Sequence, residues 1–156
     1  MLKLTIVLLV AGTVLTTLLA TAADTPAHTA LAPADIKWGP GPASLPPGAQ
    51  VAVLYGDPKK EGLFAMRLKF PKGYRIPAHT HPKPEVITVI SGAFRLTTQQ
   101  GHGPAKAWTA GSFVAMEPGL VHQAGADEET VVQLNSTGPW AVTYVNSNED
   151  PRKVGQ

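Results

Sequence analysis

Cysteine is absent from this chain of 156 residues. The absence excludes disulfide cross-links and thiolate metal ligands, so any bound metal has to rely on nitrogen and oxygen donors. Charge is scarce as well, at 15% of residues, and the 13 Lys and Arg set against 11 Asp and Glu form no basic cluster. The electrostatics therefore offer nothing to nucleic acid or to an anionic membrane surface. No segment carries an apolar period that forces a helix, and no internal repeat is visible.

What is present begins with one apolar run. Lys3 precedes an unbroken apolar or small stretch from Leu4 to Ala20, and Ala20, Ala22 and Ala23 stand just before Asp24. A charged start, a greasy middle and a small-residue end make residues 1–22 a secretory signal, with cleavage expected after Ala22 or Ala23. The competing reading is a retained anchor, because at roughly 1.5 Å per residue the run comes close to crossing about 30 Å of bilayer. Cleavage would leave about 133 residues, a single domain able to bury roughly two thirds of its unfolded surface. Losing Lys3 leaves 12 basic against 11 acidic residues, a mature charge of about +1. The expected location is periplasmic or secreted, with no membrane contact after cleavage.

Residues 23–48 hold Pro26, Pro33, Pro40, Pro42, Pro46 and Pro47, which cannot continue a helix or a central strand, so this part reads as an extended arm. Ile36 and Trp38 are the expected points of attachment. From residue 49 to 147 short apolar runs alternate with turn residues, the pattern of an all-β domain. Strands are expected at Val51–Tyr55, Leu63–Phe70, Ile76–His81, Glu85–Ser91, Ala93–Thr98, Ala105–Thr109, Ser112–Glu117, Val121–Ala126, Thr130–Asn135 and Ala141–Val145. Many short strands in one small chain manage their edges by closing into a barrel or a double-sheet roll. Residues 148–156 form a charged tail on the surface.

The chemistry concentrates between Gly73 and Gly92. His79 and His81 lie two apart on an extended segment and so share a face. Pro77, Pro82 and Pro84 argue against a helix there, and Glu85 opens the next strand. His122 follows in a similar setting. Imidazoles and a carboxylate together suit iron, copper, manganese, zinc or nickel.

These residues resemble the cupin superfamily, and within it the small single-domain bacterial members. Gly73, five residues, His79, one residue, His81, three residues, Glu85, six residues and Gly92 match the first cupin motif at every defined position. Five fixed residue types at fixed spacing make that match specific. Gly111, Gly119 and His122 match the second motif, with Pro118 one place later than the usual proline, Glu117 in its slot, and Ala126 where asparagine is usual. The resemblance spans Leu63 to Tyr144. It implies a double-stranded β-helix, or jelly-roll barrel, in which His79, His81, Glu85 and His122 bind one divalent transition metal with one or two positions open. It also implies a homodimer.

A metal with open positions can polarise an oxygen, generate hydroxide or bind dioxygen. The leading expectation is a metal-dependent oxidoreductase, an iron or copper dioxygenase or oxidase acting on a small organic or sugar-derived substrate. The alternatives are a hydrolase, lyase or isomerase, with Glu85 leaving the metal to act as catalytic base, and a binding module without turnover. Alternation leaves Gln133 and Asn135 as either donors behind the ligands or surface residues, and leaves Thr88 and Arg95 equally open. Tyr74, Arg75 and Tyr144 read as rim residues; Phe64 and Met66 as core. Trp38, Trp108 and Trp140 are scattered singly and read as anchors of the arm and loops. His28 and His102 fall outside the ligand strands, and Asp127, Glu128 and Glu129 read as a solvated turn.

Overall fold

The computed structural model describes residues 28–98 and 106–153. The expected signal segment, His102 and Ala105 lie outside them. Within the described residues the chain forms eleven strands: β1 (Gly39–Pro40), β2 (Gln50–Tyr55), β3 (Gly62–Phe70), β4 (Arg75–Thr80), β5 (Glu85–Ser91), β6 (Ala93–Thr98), β7 (Lys106–Thr109), β8 (Phe113–Met116), β9 (His122–Ala126), β10 (Thr130–Gly138) and β11 (Thr143–Tyr144). Short 3₁₀ turns at Pro33–Asp35, Ser147–Glu149 and Pro151–Lys153 are the helical elements among these residues.

Period-two alternation decides which face of each strand is wet. On β3, Phe64, Met66, Leu68 and Phe70 are buried while Leu63, Ala65, Arg67 and Lys69 point the other way. On β10, Val132, Leu134 and Ser136 are buried in the same manner. The strands assemble into two antiparallel sheets, one ordered β1-β2-β3-β10-β5-β8 and the other β11-β4-β9-β6-β7. Their apolar faces meet in one core built around Phe64, Phe70, Phe94, Met66, Val132 and Leu134. Burial of each such side chain contributes about 1.5–3 kcal/mol.

Where chain reversals are tightest, glycine is required. Gly92 joins β5 to β6 at φ 80°, and a Cβ there would stand 2.4 Å from the Glu129 carbonyl oxygen and 2.5 Å from Thr130 Oγ1. No side chain fits that gap.

The arm is more firmly held than Ile36 and Trp38 alone would manage. Those two are half-buried, with the Lys69 ammonium 4.4 Å from the Trp38 ring centroid. Leu45 and Ala49 carry the real burial, and Gly39–Pro40 adds a two-residue edge strand to β2. Tyr74 and Tyr144 donate their hydroxyls to the carbonyls of Pro46 and Ser44. Both phenols are therefore core residues that strap the arm to the barrel. In the tail, Arg152 pairs with Asp150 and donates to the Val142 carbonyl at 3.0 Å, so its first turn is fastened to the domain.

Candidate metal centre

Four polar side chains occupy the core where apolar ones would be expected. His79, His81, Glu85 and His122 are each no more than 5% exposed. Such burial of ionisable groups is costly unless they are neutral, paired or bound to a cation.

Local structure explains how each arrives there. Glu85 is the first residue of β5 and follows the same alternation as Ile87 and Val89, so it enters the core with them. His122 opens β9 in line with Ala124 and Ala126. β4 is less regular: its register against β9 shifts between Ile76 and His79. Without that shift, residues three apart would face opposite ways; with it, Ile76 and His79 both turn inward and His81 follows His79. Bulges of this kind re-aim side chains beside functional sites. His79 then lies opposite His122 in the ladder.

Backbone carbonyls set the tautomers. His79 Nδ1 lies 2.7 Å from the Pro77 oxygen, His81 Nδ1 2.8 Å from that of Ala141, and His122 Nδ1 3.0 Å from that of Leu120. A carbonyl can only accept, so each Nδ1 carries the proton and each Nε2 keeps its lone pair free. The three rings converge, with His79 and His122 centroids 4.2 Å apart, and their ligand nitrogens lie within 4.8 Å of one another. The fourth polar group joins them: Glu85 Oε2 is 3.4 Å from His81 Nε2 and 3.6 Å from His122 Nε2.

These contacts are not ion pairs. Burial first, then repulsion from a neighbouring imidazole, pushes His79 down to about 4 and His81 down to about 3, and burial also lowers His122. All three rings are neutral at pH 7, the form that ligates metals. Burial raises Glu85 to about 8 despite the hydrogen bond it accepts from Trp140. His81 Nε2 is buried with no hydrogen-bond partner among the described residues. An orphaned lone pair facing a carboxyl group and two further imidazoles is an arrangement that a cation would complete. Two donors about 2.1 Å from one ion stand roughly 3.0–3.4 Å apart for angles between a right angle and tetrahedral; the 3.4 Å pair meets that range and the 3.6 Å pair lies just beyond it. The His79, His81 and His122 group could hold a metal ion.

A cavity of about 20 Å³ adjoins the four side chains and is walled by Phe94, Leu134 and Trp140 among others. That is room for about one water-sized molecule. A larger cavity of about 510 Å³, lined by Pro42, Ser44, Val53, Pro58, Met66 and Trp140, lies under the arm. Trp140 walls both.

Several residues read as open from the sequence are now placed. Gln133 and Asn135 do not stand behind the ligands: β10 turns them to the outer face, where Gln133 Oε1 accepts from Arg67 at 3.4 Å. Their neighbours Val132 and Leu134 took the core positions because apolar burial decides strand phase. Thr88 pairs with Gln133 on that same outer face, and Arg95 and Arg75 both reach Asp127, so this acidic turn is tied by ion pairs. His28 is exposed. The residue missed by sequence reasoning is Trp140, which stacks on the His81 ring at 5.0 Å and donates its indole N–H to Glu85 Oε1 at 3.2 Å. Fifty-five positions separate Trp140 from Glu85, and no local spacing links them.

The fold and the site together define a cupin. Residues 26–141 match the family of ChrR cupin-like domains, and the chain belongs to that family. No curated protein sequence matches it. Among solved structures, the polyketide cyclase RemF from Streptomyces resistomycificus is similar with a TM-score of 0.64 and 16% identity, over 81% of this chain and 91% of that one. The DMSP lyase DddQ from Ruegeria pomeroyi DSS-3 follows at 0.57 and 18%, over 72% and 62%. The salicylate 1,2-dioxygenase from Pseudoaminobacter salicylatoxidans gives 0.53 and 15%, over 65% and 30%. At these identities the likeness is one of fold.

Proposed function

We propose that this chain is an exported enzyme that holds one divalent transition metal through His79, His81, Glu85 and His122 and oxidises a small organic or sugar-derived substrate, as a dioxygenase or oxidase. One observation carries the reading: three Nε2 lone pairs and one carboxyl oxygen face each other in a buried core beside space for a single small molecule. A metal bound there supplies an open coordination position at which dioxygen can be activated. The carbonyls of Pro77, Leu120 and Ala141 hold the imidazoles in the ligating tautomer, and the wall around them is largely apolar. The small chamber admits a molecule the size of dioxygen or water, whereas the larger cavity that Trp140 also lines has the volume that organic ligands occupy.

The test is dioxygen uptake by iron- or copper-loaded protein offered diketones, flavonoids and oligosaccharides. Substrate-dependent uptake that disappears in His122→Ala is the expected result; full metal occupancy without uptake on any substrate refutes the oxidative reading. The cyclase and lyase among its structural neighbours favour a second reading, Lewis-acid chemistry with Glu85 as base. Turnover under nitrogen with zinc would select it. Export and pairing into a homodimer belong to the same proposal. Leu63, Phe113 and Ile90 leave apolar surface on the outer face of the larger sheet that a second copy would cover, and light scattering of the mature protein measures it.

A further inference from the structure

We infer that Trp140 is a positioning residue that restricts Glu85 to binding the metal through Oε2 alone. The inference rests on the metal-binding reading above and deepens it.

A free carboxylate has two oxygens and can bind an ion through either or both. Here they have been separated by role. Oε1 accepts the Trp140 indole N–H at 3.2 Å, while Oε2 is the oxygen 3.4 and 3.6 Å from the two histidine nitrogens. An indole N–H donates and cannot accept, and its one hydrogen bond is directed to Oε1 rather than to an imidazole lone pair. Its own position is overdetermined. The ring lies flat on His81, at an interplanar angle of 17°, and the next residue, Ala141, supplies the carbonyl that takes the His81 Nδ1 proton. Two consecutive residues of the loop between β10 and β11 therefore orient two of the four candidate ligands. Rotating the carboxylate so that both oxygens face the ion would break the indole hydrogen bond in a buried site, where an unmade bond to a charged group is expensive. One oxygen is thus withheld, and a coordination position that a bidentate carboxylate would fill stays open.

Cobalt(II) tests this without turnover. Trp140→Phe keeps an aromatic, though smaller, ring on His81 and removes the N–H. The wild type is expected to bind cobalt(II) about 10–100-fold more tightly than Trp140→Phe, the usual scale for losing a hydrogen bond to a ligand. The variant's visible bands should weaken as Oε1 joins the coordination sphere and raises its number. In a Glu85→Gln background, Trp140→Phe should cost nothing further, because its effect runs through that carboxylate. Equal affinity and an unchanged spectrum in Trp140→Phe overturn the inference and leave the metal site standing. A wild type that takes up no cobalt in equilibrium dialysis overturns both. Should the variant not fold, the infrared difference spectrum of loaded and metal-free wild type decides: widely split carboxylate stretches support single-oxygen binding, and closely spaced ones refute it.

Discussion

Removing the metal and varying pH should reveal a stability maximum near pH 6.5 with a loss on either side. His79 and His81 are held by burial at about 4 and about 3, below their ordinary 6.5. Their contribution is complete above pH 6.5 and is lost as pH falls, because the unfolded chain takes up two protons that the folded chain refuses. Glu85 works in the opposite sense. Its folded value of about 8 lies above the ordinary 4.5, so its contribution is complete below pH 4.5 and is lost as pH rises towards 8. Between pH 6.5 and 4.5 the unfolded chain therefore gains a net one proton, and stability falls by roughly 1 kcal/mol per pH unit, or about 2–3 kcal/mol over the window. Lowered by burial, His122 steepens that acid side. From pH 6.5 to 8 the Glu85 loss is partly offset by the last protons leaving the unfolded histidines, and roughly 1 kcal/mol is lost. Against a total of about 5–15 kcal/mol for a domain these are large changes. Urea titrations of chelator-treated protein at pH 4.5, 6.5 and 8, followed by circular dichroism, measure both sides. Glu85→Gln should abolish the alkaline loss and steepen the acid one about twofold; a wild-type profile that is flat, or that rises steadily from 4.5 to 8, refutes the electrostatic account of the site.

The same protonation states fix the stoichiometry of metal uptake. At pH 7 binding should release about one proton, from Glu85, since the imidazoles are already neutral; calorimetry in two buffers of different ionisation enthalpy counts it, and no release refutes the assignment. Gly92→Ala should destabilise by about 3 kcal/mol or more, from left-handed strain together with overpacking against Glu129 and Thr130. A variant of wild-type stability that had lost its metal would contradict the structural role given to this glycine. Leu45→Ala should lower stability by about 2–5 kcal/mol, visible as a reduced urea midpoint; a change under 1 kcal/mol would mean that the arm is not part of the cooperative core.

The strands were legible because burial imposes period two on one face of each, as in Phe64, Met66, Leu68 and Phe70. Both ends of β5 and of β6 agree with the expectation. What alternation cannot supply is absolute phase in a strand whose two faces are chemically similar. β10 alternates Val132, Leu134 and Ser136 with Val131, Gln133 and Asn135, and pairing with β3 and β5 is what turned the second set outward. Leu45 as a further attachment of the arm is illegible in the sequence for a related reason: it sits between prolines with no periodic neighbours, and only the closed sheet beneath it creates the hole it fills.

The site divides along the same line. His79, His81 and Glu85 lie within seven residues, so chain geometry nearly dictates their approach once the segment is extended. Yet simple alternation from Ile76 would have sent His79 outward; the register shift beside Pro77 corrects the phase, and the Pro77 carbonyl then fixes that ring's tautomer. Proline has no N–H to give to the ladder, so a Pro at that position makes the irregularity cheap. Trp140 shows the limit. Its indole reaches Glu85 because β10 carries the chain across the barrel and the following loop folds back over His81. A contact made by the tertiary path alone leaves no trace in spacing, and for that reason the residue that orients the carboxylate stood in the sequence as one more isolated tryptophan.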